Sequence, residues 1–199
     1  MTFVHLLISW ATLFADAPTL GGPTDQPNVL FSHPMGSGIV SVISPETQQA
    51  GQTAVAFLHW YKTHMQAVNR LPLVNQQAGK PYSVNFKNGE QYLAYLKSSH
   101  LLTDTYLNQW RTYFKERDAG FRLSPQEEGP PTGFEYDLVM LTQDVDQQLA
   151  SLKSVKISKV TVVKNRATVV LTLLDTYEFR LIRQNNRWLI NEILNLSQE

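Results

Sequence analysis

Residues 155–194 constrain this chain most, because apolar and polar side chains alternate there in four segments separated by turns. The segments are 155–163, 167–174, 177–182 and 188–194, and the last two are joined at Asn185-Asn186, a pair that tolerates the positive φ of a tight hairpin. Alternation with a period of two sends one set of side chains to one face of a sheet. The sequence therefore predicts an antiparallel β-meander with one well-buried face.

Helical patterns precede these strands. Ser44 is suited to cap a helix, Pro45 to its first position, and Glu46 to the positive end of its dipole. Helical spacing predicts that this helix runs to about Val68, and shorter helices are expected over 90–97 and 103–117. The buried stripe of the first helix is predicted to contain Val55, Leu58, Tyr61, Met65 and Val68.

Helices followed by an antiparallel sheet are typical of an α+β fold, and we expect residues 45–197 to form a single α+β domain. A long helix laid across a curved sheet encloses a cone, and concave pockets of this kind are common ligand sites. Residues 118–134 contain three prolines and several glycines, which predicts a long loop.

The N-terminus carries a different signal. Residues 4–14 are apolar but too few to span a bilayer, and Ala15-Asp16-Ala17 fits a signal-peptidase site. We therefore predict a signal peptide over 1–17 and a Pro/Gly-rich linker over 18–44. The mature chain would then be periplasmic or extracellular. The alternative is an N-terminal helix packed on the domain, in which case the protein would be cytoplasmic.

Composition excludes several functions. Lys plus Arg and Asp plus Glu both number 17, so the chain lacks the cationic surface that nucleic acid or an anionic membrane requires. The absence of cysteine excludes disulfides, thiolate zinc sites and cysteine nucleophiles. Because only 17% of residues are charged, amides such as Gln147-Gln148 are expected to supply surface polarity. We expect neither a metal nor a cofactor, and no membrane insertion of the mature chain.

Two parts of the sequence resemble a known family. Residues 134–137 read Phe-Glu-Tyr-Asp and 143–144 read Gln-Asp, which is similar to the centre of the bacterial family of domains of unknown function 3828. The tail resembles the end of that family, and of the wider nuclear transport factor 2-like superfamily, at Ala-Thr-Val-Val-Leu (167–171), Phe-Arg-Leu-Ile-Arg (179–183) and Arg-Trp-Leu-Ile-Asn-Glu-Ile (187–193).

The resemblance spans residues 50–195. It implies an exported or envelope-associated bacterial protein without an agreed activity. It also implies a cone-shaped fold, in which N-terminal helices pack on a curved antiparallel sheet that ends in a β-meander. Enzymes of the superfamily hold acid/base residues inside the cone, but no matching catalytic set is found in this sequence.

Candidate site residues are those expected to line the cone. They are His59, Tyr61, Tyr106, Trp110, Asp137 and Asp144. No catalytic residue is assigned among them, because the aromatic residues also have the spacing of core positions and the aspartates also suit caps and loops. His59 and His64 lie five residues apart, about 140° around a helix, so they do not share a metal ion.

The sequence leaves three functional hypotheses. The first is a non-catalytic domain that binds a small ligand or a protein partner. The second is a cone-type hydrolase or isomerase, which requires His59, Tyr61, Asp137 or Asp144 to converge on one cavity. The third is an immunity or inhibitor protein that presents the 118–134 loop. Partners consistent with this architecture also include a second copy of the chain joined through the sheet.

Overall fold

The computed structural model describes residues 44–197, which form α-helices and two antiparallel sheets and so confirm the α+β class. The helices are α1 (Pro45–Val68), α2 (Phe86–Lys97), α3 (Asp104–Leu123) and α4 (Val145–Ala150), followed by a 3₁₀ helix at Ser151–Ser154. The strands are β1 (Val74–Gln77), β2 (Lys80–Val84), β3 (Lys156–Val163), β4 (Arg166–Thr172), β5 (Thr176–Gln184) and β6 (Arg187–Asn195).

The larger sheet has the strand order β3-β4-β5-β6, each strand antiparallel to the next, as a meander requires. Asn185 and Asn186, at the last hairpin, both have positive φ, and the alternation places one set of side chains on a buried inner face, as predicted. That set comprises Ala167, Val169, Leu171, Tyr177, Phe179, Leu181, Trp188, Ile190 and Ile193.

Helix α1 covers this inner face. It packs against β3, β4 and β6, and the Ser44 side chain caps it by accepting a hydrogen bond from the Thr47 N–H at 3.2 Å. A Cβ at Gly51 would lie only 3.1 Å from Ile157 Cδ1, so the glycine allows α1 to approach β3 closely. Leu58, Tyr61, Met65 and Val68 are buried along the helix, as their spacing predicts, whereas Val55, also predicted in this stripe, is only half-buried.

The free edge of β6 is paired by the segment that precedes α3. The Thr103 N–H donates to the Ile190 carbonyl at 2.9 Å, and the Ile190 N–H donates to the Leu101 carbonyl at 2.7 Å. A one-residue bulge leaves Asn191 outside the β5–β6 register, and its Oδ1 accepts the Thr103 hydroxyl at 3.0 Å. These contacts fix the start of α3 against the sheet.

Helix α3 is longer than its sequence predicts, since it continues past Gly120 to Leu123. The reason is tertiary contact. Asp118 is buried and accepts the Val84 N–H of β2 at 3.0 Å, and Phe121 packs edge-on against Tyr82. These contacts offset the helix-breaking tendency of glycine. Helix α2 likewise begins earlier than predicted, at Phe86, because Asn85 caps it.

Gln148 is buried, which corrects the expectation that the glutamine pair supplies surface polarity. Its Oε1 accepts the backbone N–H groups of Leu174 and Asp175, at 3.2 and 3.0 Å. A buried amide is tolerated when it is hydrogen-bonded. This contact fixes the turn between β4 and β5 against α4.

The predicted signal peptide (1–17), and the linker (18–44) apart from Ser44, lie outside the described residues. Among residues 44–197, no helix combines the length and apolar character that crossing a bilayer requires.

Thr103→Val tests the junction between α3 and β6. Valine keeps the shape but removes the cap of the Tyr106 N–H and the bond to Asn191. We expect the free energy of unfolding, measured by urea denaturation, to fall by about 2 kcal/mol. The control is Thr105→Val at an exposed position of the same helix, with a change of about 0.5 kcal/mol or less. Equal effects of the two substitutions would contradict this account.

Candidate functional site

The carboxylate of Asp137 is the centre of the candidate site, and it accepts four hydrogen bonds. Its Oδ1 accepts the backbone N–H groups of Val139 and Met140, at 3.0 and 2.8 Å. Its Oδ2 accepts the Tyr61 hydroxyl at 2.6 Å and the Asn69 side-chain amide at 3.3 Å. The aspartate thus ties the 137–142 turn to the C-terminal half of α1.

The 137–142 turn is closed by its own backbone. The Asp137 N–H donates to the Thr142 carbonyl at 2.9 Å, and the Leu141 N–H donates to the Asp137 carbonyl at 2.7 Å. Leu141 has a φ of 52°, which breaks the helical pattern that its sequence spacing suggests. Val139 and Met140 are fully buried, so packing and hydrogen bonding together hold the carboxylate in place.

Buried tyrosines surround this carboxylate. Burial raises the pKa of Tyr61, of Tyr92 and of Tyr106 above the ordinary tyrosine range, and the negative charge of Asp137 raises each pKa further. Tyr61 bonds to Asp137, whereas within residues 44–197 the buried hydroxyls of Tyr92 and Tyr106 make no hydrogen bond of ordinary geometry. Buried polar groups without a partner are uncommon in native proteins.

An open groove of about 420 Å³ lies beside the carboxylate. This volume is in the lower part of the range of small-molecule pockets. It is framed by the end of α1, by 71–76, by α2 and by the 131–145 segment. Its aromatic lining is Tyr92, Phe134 and Tyr136; its polar lining is Asn69, Gln76, Glu135, Asp137 and Gln143. We call this feature the Asp137 groove.

The loop before the groove is held by side chains. Gln126 accepts the Thr132 N–H at 3.0 Å and donates to the Pro130 carbonyl at 2.8 Å. The Tyr113 hydroxyl donates to the Gly133 carbonyl at 2.7 Å, and a Cβ at Gly133 would lie 2.6 Å from that hydroxyl. Gly133, with a φ of 89°, is thus required for both backbone geometry and close packing.

The predicted site residues do not all come together. Asp137 lines the groove, Tyr61 bonds to it, and Tyr106 is buried nearby. His59 is exposed on α1, and Asp144 is exposed at the start of α4 without a side-chain cap bond. Trp110 is half-buried and packs edge-on against Tyr106 and Tyr113, away from the groove lining.

Several groove residues were not predicted as site residues. The signal that could have found Glu135 was the 134–137 run, which places two carboxylates and two aromatic rings in four residues. Tyr92 lies outside that run, on α2. Asn69, Gln76 and Gln143 gave no signal, because amides occur throughout this chain.

Metal and anion sites lack support in the described part of the chain. Across residues 44–197, no three His, Asp or Glu side chains are arranged to hold a metal ion. Two arginines near the turns of the meander are paired within the fold. Arg180 pairs with Glu178 and Glu192, and Arg183 pairs with Glu46.

Comparison of the chain with models of known protein families, with curated proteins and with solved structures finds no match. The resemblance to the domain of unknown function 3828 family, and to the nuclear transport factor 2-like superfamily, therefore stays a prediction from the sequence.

A matched pair of substitutions separates the two kinds of tyrosine. Tyr61→Phe removes a donor to a carboxylate, so we expect the free energy of unfolding to fall by about 2 kcal/mol. Tyr92→Phe removes a buried hydroxyl without a partner, so stability should stay the same or rise by up to about 1 kcal/mol. Urea denaturation measures both, and a larger loss for Tyr92→Phe than for Tyr61→Phe would refute the assigned network.

Alkaline pH should unfold the protein steeply. Unfolded tyrosine ionises near its ordinary pKa of 10.0, whereas Tyr61, Tyr92 and Tyr106 stay protonated in the fold beyond that pH. The folded state then binds more protons, so stability is unaffected below about pH 9 and is lost as pH rises through 10. Burial raises the pKa of Tyr113 and of Tyr177 in the same way, so five such groups give a slope of about 7 kcal/mol per pH unit.

The measurement is urea denaturation between pH 8 and pH 11, with tyrosinate absorbance followed alongside circular dichroism. We expect these five tyrosines to ionise only as the fold is lost. Complete ionisation of every tyrosine while circular dichroism remains native would contradict the prediction. Tyr92→Phe should reduce the slope by about one fifth, since it removes one of the five groups.

Proposed function

We propose that this protein is an exported, non-catalytic domain that binds a small ligand in the Asp137 groove. The observation that carries the proposal is a half-buried carboxylate, held by four hydrogen bonds, in a concave groove that Phe134 and Tyr136 also line. The support for export is the predicted signal peptide over residues 1–17 of the sequence. Edman sequencing of the protein from its native host tests it, because removal of this segment would make residue 18 the first residue.

Shape and chemistry of the groove support ligand binding. Small-molecule sites are concave and largely apolar, with a few polar groups whose positions are fixed. Phe134 stacks on the core residue Phe114 and so provides a rigid wall, while Asp137 is fixed by four donors. A site that is ordered before binding loses less entropy when the ligand arrives.

A catalytic function of the cone type is less well supported. A general base needs a free lone pair within reach of the substrate proton, and the four donors to Asp137 occupy the sites that a carboxylate offers. His59 and Asp144 are exposed and do not line the groove. We therefore interpret Asp137 as a positioning and charge-bearing group.

The nuclear transport factor 2-like cone is our proposal for the finer architecture, within the family that the sequence resembles. Its support is a long helix packed across the inner face of a four-stranded meander. A homodimer through the sheet stays a prediction.

One observation favours a second candidate, the immunity or inhibitor function. The loop after α3 is exposed at Glu127 and Glu128, yet it is held by the Gln126 bonds and by the Tyr82 hydroxyl, which donates to the Gly129 carbonyl at 3.0 Å. An exposed, pre-ordered loop is the form in which inhibitors present a binding segment. A protein partner bound by this loop would lose affinity on loop substitution but not on groove substitution.

The groove is tested by blocking it. Gln143→Trp places a large side chain at an exposed lining position, whereas Gln147→Trp adds the same group on α4 outside the lining. The probe is 2-phenylethanol, followed by NMR titration of the labelled protein. We expect millimolar binding, with shifts confined to groove residues, for the wild type and Gln147→Trp and loss of binding for Gln143→Trp. Absence of binding in the wild type, or equal binding in all three proteins, would overturn the proposal.

A further inference from the structure

The charged groups that line the Asp137 groove are of one sign. Glu135 and Asp137 are its two carboxylates, and within residues 44–197 its lining includes no Lys, Arg or His. Arg70 follows the lining residue Asn69 in sequence, and Arg117 packs over the Tyr113 ring on the far side of the loop, but neither lines the groove. A ligand in the groove therefore meets negative charge without a competing cation in the wall.

The two carboxylates differ in how many of their hydrogen-bond acceptor sites are free. Asp137 has four protein donors, so it contributes charge more than new hydrogen bonds. Glu135 is exposed, and the one hydrogen bond it accepts is from the Gly133 N–H to Oε2 at 2.6 Å, which leaves Oε1 available. That bond also orients the side chain at the groove, since it anchors the carboxylate to its own loop.

The aromatic side chains that line the groove also favour positive charge. Phe134 and Tyr136 are half-buried beside the carboxylates, and aromatic faces attract cations as well as apolar groups. Tyr92 also lines the groove but is only 2% exposed and its hydroxyl is buried, so it contributes packed aromatic surface and not an accessible hydrogen-bonding group.

We infer that the groove selects a small organic cation, an ammonium group joined to an apolar or aromatic body. The ammonium group binds near Glu135, within the field of Asp137, and the body lies against Phe134 and Tyr136. This inference rests on the proposed binding function and adds the charge and chemical class of the ligand. Carboxylate and phosphate ligands are disfavoured, because they would approach two like charges.

The experiment compares three probes of similar size in NMR titrations at low salt. They are phenethylamine, 2-phenylethanol and 3-phenylpropionate, which differ in charge at one end. We expect phenethylamine to bind at least five-fold more tightly than the alcohol, and 3-phenylpropionate to bind most weakly. Raising NaCl from 20 to 500 mM should weaken the binding of phenethylamine several-fold and leave the binding of 2-phenylethanol unchanged, because salt screens exposed charges.

The test variant is Glu135→Gln. The control is Glu128→Gln, which lies on the same loop but outside the groove lining. We expect Glu135→Gln to bring phenethylamine close to the affinity of the alcohol, and Glu128→Gln to change neither. Binding of the alcohol with no preference for the amine, or an amine preference that survives Glu135→Gln, would overturn this inference and leave the binding function standing. Absence of binding by every probe would overturn the binding function itself.

Discussion

Burial of the inner face of the meander beneath α1 is the constraint on which the rest of this structure depends. The alternating side chains of β4, β5 and β6 give that face three nearly continuous apolar rows, and a sheet with such a face is unstable until another element covers it. Helix α1 covers it with residues such as Phe57 and Leu58, both fully buried. Because α1 is fixed there, its C-terminal half places the Tyr61 hydroxyl where it bonds to Asp137, which lines the groove.

Polar contacts within this apolar frame decide where the irregular segments lie. Asp137, Asp118 and Gln148 each accept backbone N–H groups from a turn or strand edge that would otherwise lack partners. In a low-dielectric interior such groups must be paired, since an unpaired one costs about 1–3 kcal/mol.

The groove follows from how these parts meet. The turn at 137–142 is anchored from α1 through Asp137, and the segment before it is anchored from α3 through Tyr113. The end of α1, the 71–76 segment and this anchored loop leave a concave surface between them. Its negative lining arises because a short acidic and aromatic run, 134–137, forms one wall.

Local sequence determined the α+β order of elements, the strand alternation and the Ser44 cap of α1, because each depends on neighbours a few residues apart. Tertiary structure alone decided that α3 passes Gly120, that Gln148 is buried, and that Asp137 joins Tyr61 while His59 and Asp144 remain at the surface. These outcomes depend on partners far along the chain, such as Val84 for Asp118 and Leu174 for Gln148. Periodicity reports which face of an element is apolar, but it carries no information on which distant backbone group a side chain will meet.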